Sequence, residues 1–253
     1  MNSIARRSAS AALALMVAGA GLSAQPQMAG AVNTGTVVAI GDSYPSGDGG
    51  GGNWHRGYPE MSAGMLGTST LRLTTKNYAQ SGWTSGDVLD GFNRTDAMKQ
   101  IATANTVIIT VGANDVLNAN PDPRQAAVTT RNYHDEVLQA KANLDTILRK
   151  VSVARRGNMK RVVVADYNTV YRQGGSATWA GSTFIKGANN VTIDLNANLL
   201  QVCRKYRATC VDVYPAFQTA NVQTLVVPDG THPSTAGHRV YANKIVAAVR
   251  ARA

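Results

Sequence analysis

Four short, apolar, largely β-branched runs recur along the chain. They are Thr36-Val37-Val38-Ala39-Ile40 before Gly41, Thr106 to Val111 before Gly112, Arg161 to Ala165, and Thr209 to Val213. Continuous apolar runs of this length read as parallel strands buried on both faces. Leu71-Arg72-Leu73-Thr74 is a weaker run and predicts a strand at a sheet edge. Between the strands the period changes to that of a helix. From Gln125 to Val153, the residues Val128, Val137, Leu138, Leu144, Ile147 and Leu148 recur near every 3.6 positions, and the stretches Val191 to Tyr206 and Ala236 to Arg252 behave alike. Strands alternating with helices predict an α/β layered domain around a parallel sheet. No repeat or Pro/Ser linker divides the chain, and the Gly-rich stretch Gly47 to Gly52 reads as a surface loop.

The N-terminus departs from this pattern. Arg6 and Arg7 precede an apolar, Ala/Gly-rich run from Ala11 to Leu22, and Ala29-Gly30-Ala31 follows as a small-x-small cleavage pattern. That order predicts an export signal over residues 1–31 and an exported, extracellular domain over 32–253. The run is too short for a comfortable membrane span, and no later stretch supplies one. Export bears on Cys203 and Cys210, which flank a basic hexapeptide at a predicted helix-to-strand turn. An oxidising compartment favours a disulfide between them, two free buried thiols being the alternative. A ring that small contributes only about 2 kcal/mol by loop entropy.

Composition narrows the function classes. Of 253 residues, 44% are hydrophobic and 16% charged, enough to bury a full core, so disordered and collagen-like classes are excluded. No Cys/His spacing suggests a metal site, and no cofactor is expected. Lys and Arg outnumber Asp and Glu by 25 to 15, for a net charge of +10. With export, scattered cations and no recognised motif, nucleic acid is not the expected partner. An anionic lipid interface or an acidic polymer suits the charge better, and plain surface bias accounts for it equally well.

In an open parallel sheet, functional groups gather beyond the carboxyl ends of the strands. Four polar segments fall there: Gly41-Asp42-Ser43-Tyr44, Asn77 to Gly82, Gly112-Ala113-Asn114-Asp115, and Asp229-Gly230-Thr231-His232 before the last helix. Each alone is an ordinary turn or cap. Together they hold the parts of one acyl-transfer site. Serine needs a base to take its proton, and His232 is the natural one for Ser43. Asp229, three residues earlier, can orient the imidazole. The N–H groups of Ser43 and Gly82 and the side-chain amide of Asn114 are candidate donors to an oxyanion.

These four segments, in this order, resemble the sequence blocks of the SGNH (GDSL-type) hydrolases, and most of all those of secreted actinobacterial esterases and lipases. The resemblance covers nearly all of 32–253. It implies a flavodoxin-like three-layer α/β/α sandwich with Ser43 as nucleophile, His232 as base, Asp229 as its partner, and an oxyanion hole of Ser43, Gly82 and Asn114. Tyr44 stands where the family name has Leu, a departure expected not to touch the chemistry. No G-x-S-x-G elbow occurs, which disfavours the α/β-hydrolase family.

Other residues carry plainer expectations. His55 lacks an acidic orienter, His134 reads as solvated, and His238 as structural. Asp42 and Asp115 are expected to hold loops. Trp54, Trp83 and Trp179 read as packing residues, with Trp83 also placed to wall an acyl pocket. The expected activity is a secreted, monomeric, serine-dependent carboxylic ester hydrolase, with lipids or phospholipids ahead of acetylated carbohydrates. A phospholipase selective for anionic lipids and an acyltransferase are variants of it. A non-catalytic flavodoxin-like binding module, with the Gly-rich loop on a phosphate, is the rival from another class.

Overall fold

The computed structural model describes residues 32–50, 57–119, 122–127 and 132–252. The predicted signal segment 1–31, Trp54, His55 and Val128 therefore lie outside the described residues, as does part of the Gly-rich loop.

The five predicted strands form one parallel sheet in the order β2-β1-β3-β4-β5: β1 (Asn33–Gly41), β2 (Leu71–Asn77), β3 (Thr106–Thr110), β4 (Val162–Ala165) and β5 (Thr209–Val211). Every residue of β3 and β4, and of β1 from Val37 onward, is buried. This is what a continuous apolar run requires when helices cover both faces. β2 lies at an edge, as its weaker run predicts, and most of its residues keep contact with solvent.

On one side α2 (Tyr58–Leu66) packs on β1 and β2 and meets α12 (Thr235–Arg250), which reaches β4 and β5. On the other, α3 (Ser85–Arg94), α4 (Ala97–Thr103), α7 (His134–Ala154) and α9 (Ser182–Lys205) form the second helical layer. The result is the expected three-layer sandwich. Register aligns Gly41 with Thr110, Ala39 with Asn77 and Ala165 with Val211, so the carboxyl ends of the strands share one rim. Short helices on or near that rim are α1 (Ser43–Ser46), α5 (Ala113–Asn118), α6 (Pro123–Ala126), α8 (Gly175–Thr178), α10 (Tyr214–Phe217) and α11 (Val222–Leu225). Among the described residues, no helix is long and apolar enough to cross a membrane.

Several boundaries differ from the sequence pattern, each for a local reason. The helix expected from Gln125 begins at His134, because Asp122 and Pro123 start the separate turn α6. Leu138, counted as core, is 41% exposed. α9 begins at Ser182, nine residues before the predicted start. Its first half passes so close to α6 that a Cβ on Gly187 would lie 1.5 Å from the Pro123 carbonyl oxygen. β5 stops at Val211 because the Val213 N–H leaves the ladder for Asp166 Oδ1, at 2.7 Å, and α10 follows at once. Cys203 on α9 and Cys210 on β5 form the expected disulfide, with Cα atoms 5.8 Å apart.

Asp166, just beyond β4, is buried, and burial pushes its carboxyl up to about 8 despite the hydrogen bond from Val213 N–H. A carboxyl whose folded pKa is raised binds its proton more tightly in the folded chain. Its contribution to stability is therefore full in acid and is lost as pH rises toward about 8. The melting temperature is expected to decline between about pH 4 and 8, and less steeply in Asp166→Asn, whose Oδ1 still accepts from Val213. Equal slopes in parent and variant, by calorimetry, would remove Asp166 from this role.

Candidate active site

The site grows from the end of β1. Gly41 has φ of +140°, and a Cβ there would sit 1.8 Å from the Thr110 carbonyl oxygen, so only glycine lets β1 turn tightly against β3. Asp42 then caps α1, its Oδ1 accepting from Tyr44 N–H at 3.0 Å. Ser43 becomes the first residue of that helix, 7% exposed, with its hydroxyl at the rim.

Asp229 to His232 approaches from the loop before α12. Asp229 Oδ1 accepts from the N–H groups of Thr231 (2.7 Å) and His232 (3.0 Å), which folds the loop into a tight turn. Its other oxygen, Oδ2, lies 2.6 Å from His232 Nδ1, and His232 Nε2 lies 2.8 Å from Ser43 Oγ. Three residues spread over 189 positions of chain thus make one continuous hydrogen-bonded row. Burial raises the Asp229 carboxyl, but the hydrogen bonds from His232 and the two backbone N–H groups outweigh it and hold the group below the ordinary carboxylate range. An ionised Asp229 only accepts, so Nδ1 carries the proton and Nε2 presents its lone pair to the Ser43 hydroxyl.

The other two segments meet each other beside Ser43. Past β2, Tyr78 N–H donates to Ala39 O (2.8 Å) and Gln80 N–H to Gly41 O (3.1 Å), carrying the chain along the end of β1. Gly82 follows with φ of +81°, and nothing lies within 4 Å of where its Cβ would be. Asn114, in the first turn of α5, donates from Nδ2 to the Trp83 carbonyl at 2.9 Å, leaving its second N–H for another acceptor. Asp115 beside it accepts from Ser85 N–H (2.8 Å) and Ser85 Oγ (2.5 Å). These contacts tie the Gly82 loop to the end of β3. Among the described residues, the Ser43 and Gly82 N–H groups meet no protein acceptor.

The remaining expectations divide. Asp42 and Asp115 do hold loops, and burial pushes both carboxyls up, Asp42 to about 7. His134 is exposed at the start of α7, and His238 is buried in α12 with Nε2 at 2.9 Å from Asp48 O. Trp83 is half-buried and packs its ring against Gly91 of α3 and the core, as a packing residue should. Trp179 is not a packing residue. It is 73% exposed on the rim, with the Arg172 guanidinium 5.7 Å from its ring centroid.

Tyr44 also ties two parts of the site together. Its hydroxyl donates to the carbonyls of Thr169 (2.6 Å) and Thr231 (3.0 Å), so it touches the loop that bears His232. Tyr167, at the end of β4, is a site residue with no marking motif. Its hydroxyl donates to Asp42 Oδ2 and accepts from Ala113 N–H at 3.2 Å, joining the turn of Ser43 to that of Asn114. The strand-end position of Tyr167 was the one available signal.

Residues 39–240 match the GDSL-like Lipase/Acylhydrolase family. Solved structures of similar fold include the lipase Lip_vut3 from a goat rumen metagenome, at 20% identity and TM-score 0.67, covering 84% of this chain and 96% of that one. Phospholipase A1 from Streptomyces albidoflavus NA297 is 23% identical, with TM-score 0.59, covering 87% and 99%. A catalytic mutant of the acetylxylan esterase Axe2 from Geobacillus stearothermophilus is 20% identical, with TM-score 0.60, covering 86% and 95%. No curated protein matches by sequence. The match spans the strand-end segments from Gly41 to His232. The chain belongs to the GDSL-like lipase/acylhydrolase family and is a carboxylic ester hydrolase.

Proposed function

We propose that the protein is a secreted esterase or lipase that works through an acyl-enzyme on Ser43. The observation that carries this is the row Asp229 Oδ2, His232 Nδ1, His232 Nε2 and Ser43 Oγ, with gaps of 2.6 and 2.8 Å. His232 takes the Ser43 proton as Oγ bonds to the ester carbonyl carbon. The developing oxyanion receives the N–H groups of Ser43 and Gly82 and the free N–H of Asn114. The tetrahedral adduct collapses, His232 returns the proton to the departing alcohol, and a water activated by the same imidazole releases the acid. Asp229 orients the ring and stabilises the imidazolium.

Lipid or phospholipid esters are the proposed substrates, ahead of acetylated carbohydrates. In support, Trp179 stands exposed on the catalytic rim with Arg172 beside it, and the chain carries +10. An aromatic ring paired with a cation suits an anionic lipid surface. The signal-like residues 1–31 and the Cys203–Cys210 disulfide support export. Assay of residues 32–253 on p-nitrophenyl esters, neutral and anionic phospholipid vesicles and acetylated xylan tests both levels. Turnover of acetylated xylan alone would overturn the lipid assignment, and no turnover of any ester would overturn the whole.

Asn114→Ala is expected to lower kcat on the order of a hundredfold, roughly 3 kcal/mol, with KM little changed, because its second N–H strengthens only as charge develops on the oxyanion. Loss of its bond to Trp83 O should also lower the melting point slightly, by about 1 kcal/mol of stability. Near-parental kcat with only the stability loss would make Asn114 a loop tie alone.

A further inference from the structure

We propose that Tyr44 is a positioning residue, whose hydroxyl fixes the base-bearing loop against the nucleophile-bearing turn and so sets the approach of His232 Nε2 to Ser43 Oγ. The inference deepens the proposed reading of Ser43, His232 and Asp229 and rests on it.

Tyr44 follows Ser43 directly in α1, and its own N–H is held by Asp42 Oδ1. Its side chain is 1% exposed and crosses the site to Thr169, beyond β4, and to Thr231, the neighbour of His232. A phenol this deeply buried is pushed well above its ordinary pKa, so it remains a donor across the working pH range. The single hydroxyl proton is shared between two carbonyls, at 2.6 and 3.0 Å. The ring is fixed edge-on to Tyr167, with centroids 4.8 Å apart, and lies 5.7 Å from the His232 ring.

Nothing within the Asp229–His232 turn performs this task. Its own bonds, from Thr231 and His232 to Asp229 and from Val227 N–H to His232 O, shape the loop internally. Gln173 N–H to Gly230 O, Thr231 Oγ1 to Tyr171 O and a longer bond from Asn168 Nδ2 to Thr231 O (3.3 Å) hold it to the segment after β4. Tyr44 alone among these partners belongs to the helix that carries Ser43. Its removal leaves the nucleophile and the base on separately anchored loops, where a misplacement of an ångström costs far more in rate than in binding.

Tyr44→Phe keeps the ring and deletes the donor. With a p-nitrophenyl ester, and with active sites titrated by a fluorophosphonate so that only folded enzyme is counted, kcat should fall about tenfold or more with KM within twofold. The same substitution should cost less than twofold in the His232→Ala background, where no base remains to position and folded protein is counted by its melting transition instead of by titration. It should keep its tenfold cost in the Asn114→Ala background. A general loosening of the fold would instead cost alike in every background, and that result overturns the inference. So does a parental kcat in Tyr44→Phe.

p-Aminophenylalanine at position 44 restores an N–H donor on the same ring. It should return kcat to within about threefold of the parent, and it stands in as the informative variant should Tyr44→Phe fail to fold. A tenfold loss that persists with this donor present also overturns the inference. Failure of the underlying catalytic reading would appear separately, as labelling or turnover that survives in Ser43→Ala.

Discussion

Ser43→Ala is expected to reduce ester turnover on the order of a millionfold while leaving the fold intact. The substitution deletes the atom that forms the acyl bond, and no neighbouring group can replace it. The nearest other hydroxyl on the turn, Ser46 Oγ, is committed to Ser43 O (2.9 Å) and Asp48 Oδ1 (2.5 Å). Its proton is engaged in those bonds and is not given to His232. The structural cost is small. Ser43 Oγ has one protein partner, His232 Nε2, and the backbone bonds of α1, including the Asp42 cap, do not involve it. Loss of one such bond is worth about 1 kcal/mol, or roughly 2–4 °C in the melting temperature of a domain this size. Intact-mass analysis after fluorophosphonate treatment should show one adduct on the parent and none on the variant. Residual turnover above a tenth of the parent, or an adduct on Ser43→Ala, would end the assignment of Ser43 as nucleophile.

The parts of the fold that the sequence made legible are those in which a local pattern has one structural meaning. Val37 to Ile40 and Val107 to Ile109 are apolar at every position, as strands covered on both faces require, and both are central. Leu71 to Thr74 is mixed and lies at the edge. The candidate site was legible for a related reason. Ser43, Gly82, Asn114 and the Asp229–His232 pair all follow the rim rule for parallel sheets, and Asp229 lies within one turn of the histidine it orients. Features set by contact between distant segments were not legible. The first turns of α9, before the predicted start at Val191, include Gly187, whose missing side chain is explained only by the close approach of α6. The hydroxyls of Tyr44 and Tyr167 find partners at least 54 positions away, and each carries no mark but an unremarkable aromatic letter. Trp179 was misread because a lone tryptophan in sequence is more often interior than exposed. It stands at the end of the short turn α8, 73% exposed.

The second large effect separates the two partners of Ser43. His232→Ala should cost nearly as much as Ser43→Ala, on the order of a millionfold in kcat, because nucleophile and base act as one unit and neither works alone. Asp229→Asn should cost less, on the order of ten-thousandfold, by a specific route. In the parent, Asp229 Oδ1 is taken by the N–H groups of Thr231 and His232, and only Oδ2 faces His232 Nδ1. An asparagine must keep its single oxygen against those two donors to preserve the turn, which turns its NH2 toward the imidazole. Nδ1 must then accept, the ring proton moves to Nε2, and the lone pair that should receive the Ser43 proton is gone. The histidine stays in place but in the wrong tautomer. The variant should therefore retain the parental melting temperature and KM, lose kcat, and react with a fluorophosphonate more slowly in proportion. His232→Ala in the Asp229→Asn background should add far less than its loss in the parent, since the base is already disabled. A fully additive pair would mean that His232 works without Asp229. An Asp229→Asn variant retaining more than a tenth of parental kcat would show that the 2.6 Å contact holds the loop and leaves the proton where it was.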